Sequence, residues 1–256
     1  MRVEALDGVA RVTLDRPDRR NALDLAAMEL LGERVSELAA RVDVRCIVLT
    51  GAGGAFCAGA DLAEHGAGIE QGQPKAMMVA VARAISAILN APQPVLAVVD
   101  GAAVGVGMSL AIACDMVLAS ERSYFLLPFT GIGLIPDGGV TASVASSTGR
   151  ARAMRMALRQ ERMSAAEAFD AGLIAHLCGN EKLADTAAAW ARDLTAAPQQ
   201  AVARTKVLIN RHTLGDLAAV MDREAAEQLV LLASEDYREG VAAFLERRPP
   251  RFGRSR

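Results

Sequence analysis

Three short runs, Arg45–Thr50 (RCIVLT), Pro94–Asp100 (PVLAVVD) and Asp115–Ala119 (DMVLA), are almost wholly apolar instead of alternating. A strand with no polar face must be covered on both sides, as happens in a parallel sheet flanked by helices. Covering helices are readable between the runs. Asp24 is a plausible N-cap for a helix to about Arg41, with Leu25, Met28, Leu31, Val35 and Leu38 on one face. Lys75–Leu89 has the same periodicity and ends before Pro92 and Pro94. The chain is therefore expected in the α/β class.

Further strands are expected at Val9–Asp15, closed by the turn Arg16-Pro17-Asp18, at Ser123–Leu127 and at Leu173–Leu177. From Asp137 the pattern is mostly helical, over about 138–148, 150–159, 164–171, 181–196, 198–211, 215–233 and 235–246. This divides the chain into an α/β part, residues 1–190, and a helical C-terminal region, residues 191–256. No internal repeat is evident.

Composition narrows the function classes. With 256 residues and 52% hydrophobic content, the chain can build a core without disulfides. Lys+Arg (28) nearly cancels Asp+Glu (30), which argues against a basic nucleic-acid binder. Arg150, Arg152, Arg155, Arg159 and Arg162 do not form one basic stripe, so surface or subunit contacts are expected of them. There is no signal-peptide pattern and no run of roughly 18 apolar residues, so a soluble, cytoplasmic protein without a membrane partner is expected. Cys46, Cys57, Cys114 and Cys178 lack CxxC spacing and read as buried thiols. His65, His176 and His212 form no metal-ligand pattern, and no metal site is expected.

Two Gly-rich stretches follow buried strands, Gly51–Gly59 and Gly101–Gly107. Neither fits a dinucleotide fingerprint, because Phe56 and Leu110 stand where a small residue is needed. Leu110 and Ala111 after Ser109 likewise rule out a GxSxG elbow. Two readings remain: tight packing turns, or main-chain donors converging into an oxyanion hole suited to a thioester enolate.

Phe56-Cys-Ala-Gly-Ala-Asp61-Leu62, Asp100-Gly101 through Gly105-Val-Gly107 to Asp115, and Gly133-Leu-Ile-Pro136-Asp137-Gly-Gly resemble the crotonase (enoyl-CoA hydratase/isomerase) superfamily. Arg16-Pro17 with Asn21-Ala22-Leu23, and Ala166-Glu167-Ala168 to Gly172-Leu173-Ile174, extend the resemblance along essentially the whole chain. It implies an α/β, crotonase-like spiral of ββα units with a helical C-terminal trimerisation region, assembled as a homotrimer or dimer of trimers. It also implies an acyl-CoA substrate, with coenzyme A part of the substrate and no separate cofactor.

Carried over by motif, the oxyanion donors are the N–H groups of Ala60 and Val106. The substrate-binding residues implied are Arg20, Ala22, Ala58, Gly59, Asp61, Leu62, Gly105, Gly107, Phe129 and Pro136. Arg19 and Arg20 read either as contacts to CoA phosphates or as solvated arginines; Arg247 and Arg248 are further phosphate candidates. Gly66, Gly68 and Gly72 suggest a flexible lid over Glu64–Lys75.

The chain departs from the family's hydratases at both catalytic glutamates. Ser109 stands at one position and Phe129 at the other. What remains is Asp137, which resembles the catalytic aspartate of a branch containing enoyl-CoA isomerases and ring-epoxide isomerases. An Asp before a helix is also an ordinary N-cap, so both readings stand. Burial among Phe125, Leu127 and Phe129 would raise its pKa, and a helix N-terminus would oppose that. The expected activity is a double-bond shift in an enoyl-CoA with Asp137 as proton shuttle. Hydration of a 2-enoyl-CoA, a non-catalytic acyl-CoA-binding protein and an aspartate-nucleophile hydrolase are the alternatives.

Overall fold

The computed structural model describes residues 1–65 and 73–253. The expected lid glycines Gly66, Gly68 and Gly72 lie outside the described residues.

Strands β1 (Arg2–Leu6), β2 (Val9–Leu14), β3 (Cys46–Gly51) and β4 (Val95–Val99) are followed by the short β5 (Ala102–Val104). Then come β6 (Met116–Ser120), β7 (Tyr124–Leu126), β8 (Met163–Ser164) and β9 (His176–Cys178). The six-stranded sheet runs β1-β2-β3-β4-β6-β9, parallel throughout except for the β1–β2 hairpin. A smaller sheet has the order β5-β7-β8. The hairpin turns at Asp7-Gly8, both with positive φ (51° and 82°), the requirement of a tight two-residue turn that matches strand twist. β1 escapes the apolar pattern because all five of its residues are exposed.

Among the helices, α1 (Leu25–Ala39), the one-turn α2 (Leu62–His65), α3 (Gln73–Asn90) and α4 (Val106–Ala113) belong to the first half. Next are α5 (Val140–Thr148), α6 (Arg150–Arg159), α7 (Ala165–Asp170) and α8 (Leu183–Ala196). The chain ends in α9 (Gln199–Thr213), α10 (Leu217–Leu232) and α11 (Glu235–Leu245). Asp24 does cap α1: its side chain accepts the Ala27 N–H at 2.7 Å.

The apolar runs are buried on both faces. Ile47 and Leu49 of β3, with Val95, Ala97 and Val99 of β4, join the core that includes Leu31 and Val35 of α1 and Ala84 and Ile85 of α3. Cys46, Val48, Leu96 and Val98 point the other way, onto Leu183, Ala187 and Ala191 of α8. All four cysteines are buried and free, as expected.

A division after residue 190 falls inside α8, which packs on the main sheet. The helices beyond it are also tied to the core. Lys206 of α9 pairs with Asp115 at 2.8 Å and donates to the Ile88 and Gln93 carbonyls. Among the described residues, no helix is long and apolar enough to cross a membrane.

Both Gly-rich stretches leave the carboxyl ends of adjacent parallel strands, β3 and β4. In open parallel sheets that edge is where ligands are usually received.

Candidate active site

A cavity of about 100 Å³ opens at this edge. Its wall includes Ala58, Gly59 and Ala60 from the first turn, Leu62 of α2, Gly105 and Val106 from the second turn, and Asp137. The wall also holds side chains of α3 (Met77, Met78, Val81), the Phe129–Ile132 turn, α10 (Gln228, Leu232) and α11 (Tyr237).

The first turn is held as a strip between two neighbours. Cys57 bonds to β5 through Cys57 N–H to Ala102 O and Val104 N–H to Cys57 O, both 2.9 Å. Three residues on, the Leu23 N–H donates to Gly59 O at 2.8 Å and the Asp61 N–H donates to Leu23 O at 3.0 Å. In such a parallel bridge the flanking residues make the bonds, so the Ala60 N–H is turned away from Leu23. Among the described residues, no hydrogen bond occupies it.

Val106 is the first residue of α4, so its N–H has no acceptor within the helix. Gly105 before it adopts φ 57°, ψ −131°, a region closed to side-chain-bearing residues. The two turns touch through glycine: a Cβ built on Gly105 would lie 3.9 Å from Gly59 Cα. A Cβ on Gly107 would come within 2.5 Å of the Cys57 carbonyl oxygen. The turns are thus close-packed, and that packing brings two unpaired N–H groups to one cavity. Packing and donor presentation are the same feature here.

Asp137 is 5% exposed and supplies the charge. Its Oδ2 accepts from Gln228 Nε2 at 2.9 Å, whereas Oδ1 is buried without a hydrogen-bond partner. Burial pushes its pKa from 3.8 up to about 7; the Gln228 hydrogen bond works against that rise and the Glu224 carboxylate adds to it. The N-cap reading of Asp137 does not hold. α5 begins at Val140 with Gly139 as N-cap, and no side chain from its own turn caps it. Glu224 of α10 accepts the Gly139 N–H at 2.6 Å and the Thr141 N–H at 3.2 Å instead. Of the apolar groups expected around Asp137, Phe129 lines the cavity, while Phe125 and Leu127 lie in the main core outside its wall.

Ser109, at one of the absent glutamate positions, donates its hydroxyl to the Asp137 carbonyl oxygen at 2.7 Å and so clamps the aspartate's own turn. Gln228 and Glu224 were not foreseen as site residues. They lie 91 and 85 residues from their partners at this turn, and one helical pattern does not announce a contact at that distance. Two polar residues four apart on an otherwise apolar helix face were the available signal.

The cavity wall thus brings together Ala58, Gly59, Ala60, Leu62, Gly105, Val106, Phe129 and Asp137. Arg20, Ala22, Asp61, Gly107 and Pro136 lie outside it. Asp61 is buried and pairs with Arg16 at 3.2 Å, behind the Ala60 donor. Arg19 and Arg20 are exposed on the turn before Asn21, whose side chain donates to the Ala52 and Ala55 carbonyls. Arg248 is engaged by Glu239 and Glu246. Arg155 and Arg159 pair with Glu161, and Arg162 stacks on Tyr124 at 3.6 Å. No described cluster of three His, Cys, Asp or Glu side chains is placed to hold a metal ion.

Residues 4–255 match the family described as enoyl-CoA hydratase/isomerase. A Rhodobacter capsulatus protein named "Probable enoyl-CoA hydratase" is 40% identical over 98% of this chain and 97% of its own length. The 1,2-epoxyphenylacetyl-CoA isomerase of Escherichia coli is 36% identical over 96% of this chain and 95% of its own. A crystal structure of an enoyl-CoA hydratase from Mycobacterium avium subsp. paratuberculosis superposes with a TM-score of 0.91 at 40% identity, covering 98% of each chain. Relatives of both reaction types are therefore similar to this chain over nearly its whole length.

Proposed function

The chain belongs to the enoyl-CoA hydratase/isomerase family, the crotonase superfamily, and we propose that its own reaction is a double-bond shift in an enoyl-CoA. The observation carrying this reading is Asp137, which carries an unpartnered buried carboxylate oxygen, Oδ1, and lines a cavity whose wall also holds Ala60 and Val106. Among the described residues of that wall, no second carboxylate accompanies it.

In the proposed cycle the thioester oxygen sits between the Ala60 and Val106 N–H groups. Asp137, as carboxylate, takes the proton from C2 of a 3-enoyl thioester. The electron pair of the broken C–H bond moves onto the thioester oxygen as an enolate, which the two donors stabilise; losing one such donor typically costs about 3–4 kcal/mol. The same carboxyl returns the proton at C4 while the enolate collapses, leaving the double bond at C2 and the carboxylate restored. A base poised near pH 7 suits a group that must first accept and then give up a proton.

Water addition would need one group to orient water and another to protonate C2. The Ser109 hydroxyl is directed at the Asp137 main chain, which favours the single-carboxylate reaction over hydration. The proposal treats coenzyme A as part of the substrate and calls on no separate cofactor. It includes assembly as a trimer or dimer of trimers, in keeping with the exposed Val207, Leu208 and Ile209 of α9, and light scattering tests this.

The direct test follows double-bond migration and water uptake separately on matched 3-enoyl and 2-enoyl thioesters. Migration in the wild type, abolished in Asp137→Asn with ester affinity retained, is the expected result. Water uptake dominating, full activity in the variant, or tight binding without turnover across acyl groups would each overturn it.

A further inference from the structure

We infer that Gln228 is a positioning residue that holds Asp137 by Oδ2 and thereby reserves Oδ1 as the oxygen exchanging a proton with the substrate. This rests on the proposed role of Asp137 and specifies which of its atoms acts.

The orientation of the Gln228 amide is fixed independently of the aspartate. Its Oε1 accepts the Ile135 N–H at 3.0 Å, and its Nε2 donates to the Ile135 carbonyl at 2.9 Å. Turning the amide over would set oxygen against oxygen and N–H against N–H, so the group facing Asp137 is the N–H donor. That donor meets Oδ2 at 2.9 Å. Oδ2 must accept there, and a proton on it would compete with the amide hydrogen. In the acid form the proton therefore sits on Oδ1, the oxygen without a partner.

The hold is rigid from three sides. Gln228 is 1% exposed, and Glu224, one turn earlier on the same face of α10, fixes the Gly139 and Thr141 N–H groups beyond the aspartate. Ser109 of α4 pins the Asp137 carbonyl. The titratable groups facing the aspartate are Glu224 of α10 and, across the cavity, Tyr237 of α11; no Lys, Arg or His is in the described wall. Gln228 is thus the side chain that stabilises the charged form of Asp137 by a hydrogen bond.

The test uses the full-length protein and Gln228→Met, which keeps the bulk and loses the donor. Asp137 ionisation is read by carboxyl infrared difference spectra, assigned by subtraction of Asp137→Asn, and compared with the pH profile of kcat. In Gln228→Met both should move up by about one to two pH units, because a hydrogen bond to the charged form is lost. At pH 7 kcat should fall about tenfold or more, with KM changed less than about twofold. Should Gln228→Met fail to fold, Gln228→Leu likewise removes the amide donor without adding a charge, and it should shift the titration in the same direction. A folded variant with unshifted titration and unshifted pH profile would overturn the inference while leaving the isomerase reading intact. A shifted titration in a protein that moves no double bond would overturn the isomerase reading and, with it, Oδ1 as the exchanging oxygen, but leave the Gln228 contact standing.

Discussion

Glu224 accepts the N–H of Gly139 two residues beyond Asp137, and in doing so takes over the helix end that Asp137 would otherwise cap. The consequence is electrostatic as much as structural. The first N–H groups of α5 satisfy the Glu224 carboxylate, and the aspartate is left with one donor and one bare oxygen.

Glu224→Gln should therefore have two opposed effects. The helix end loses charge-assisted bonds and stability falls by roughly 1–2 kcal/mol, visible as a lower urea midpoint. Removing the negative neighbour lowers the Asp137 pKa, so the basic form appears at lower pH and the rising limb of the rate profile moves to lower pH. A limb that stays in place or moves up would show that the Glu224 charge does not reach the aspartate.

Asp137 itself should cost stability. Its pKa is raised from 3.8 to about 7 in the folded protein, so the folded state binds the proton more tightly than the unfolded chain. Stability then falls as pH rises through that window, and the burial cost is fully present above it. Asp137→Asn removes the cost. The variant should be more stable than wild type at pH 8, by a few kcal/mol in order of magnitude, with the difference shrinking to nothing near pH 4. Thermal melts of both proteins across that range check this; an equal gap at both pH values would contradict it.

The legible part of this molecule is what repeats locally. RCIVLT and PVLAVVD announce a sheet covered on both faces, and the cores around Ile47 and Val48 show both covers. The cavity's backbone was legible through Gly59 and Gly105, whose positive φ favours glycine, and Gly107, where Cys57 leaves no room for a Cβ. The short β5 and β8 gave no periodic signal over three and two residues. Gln228 and Glu224 were opaque for a different reason: polar residues on the buried face of α10 mark an exception without naming its partner, and their role exists only once α10 lies against the Asp137 turn.

Ser109→Ala separates positioning from chemistry at the aspartate. The hydroxyl touches the Asp137 main chain, so its loss should loosen the turn without removing a reacting group. The expected result is a fall in kcat of about tenfold, the effect of one lost hydrogen bond worth about 1.4 kcal/mol. The rate-limb pKa should change little, because the carboxylate's own donor, Gln228, remains. A pKa moving as far as in Gln228→Met would place Ser109 in the proton-transfer machinery instead.

The two donor turns make the sharpest prediction, because they can be broken in two different ways. Gly105→Ala keeps the space open, since the nearest atom to a new Cβ is Phe129 Cζ at 3.8 Å, but forces a side-chain-bearing residue into φ 57°, ψ −131°. The strain is roughly 1–3 kcal/mol, and relaxing it rotates the Val106 N–H away from the cavity. Gly107→Ala has ordinary φ, yet its Cβ would lie 2.5 Å from Cys57 O and 2.7 Å from Cys57 Cβ, pushing the Cys57 strip and the Ala60 donor beyond it. Each variant should lose about 10²–10³ in kcat, the scale of one oxyanion donor. Shrinking the neighbour cannot cure the second defect, because the nearest atom is a backbone oxygen. Cys57→Gly with Gly107→Ala should therefore stay impaired, and restored turnover in that pair would mean the close approach is not what holds the donors.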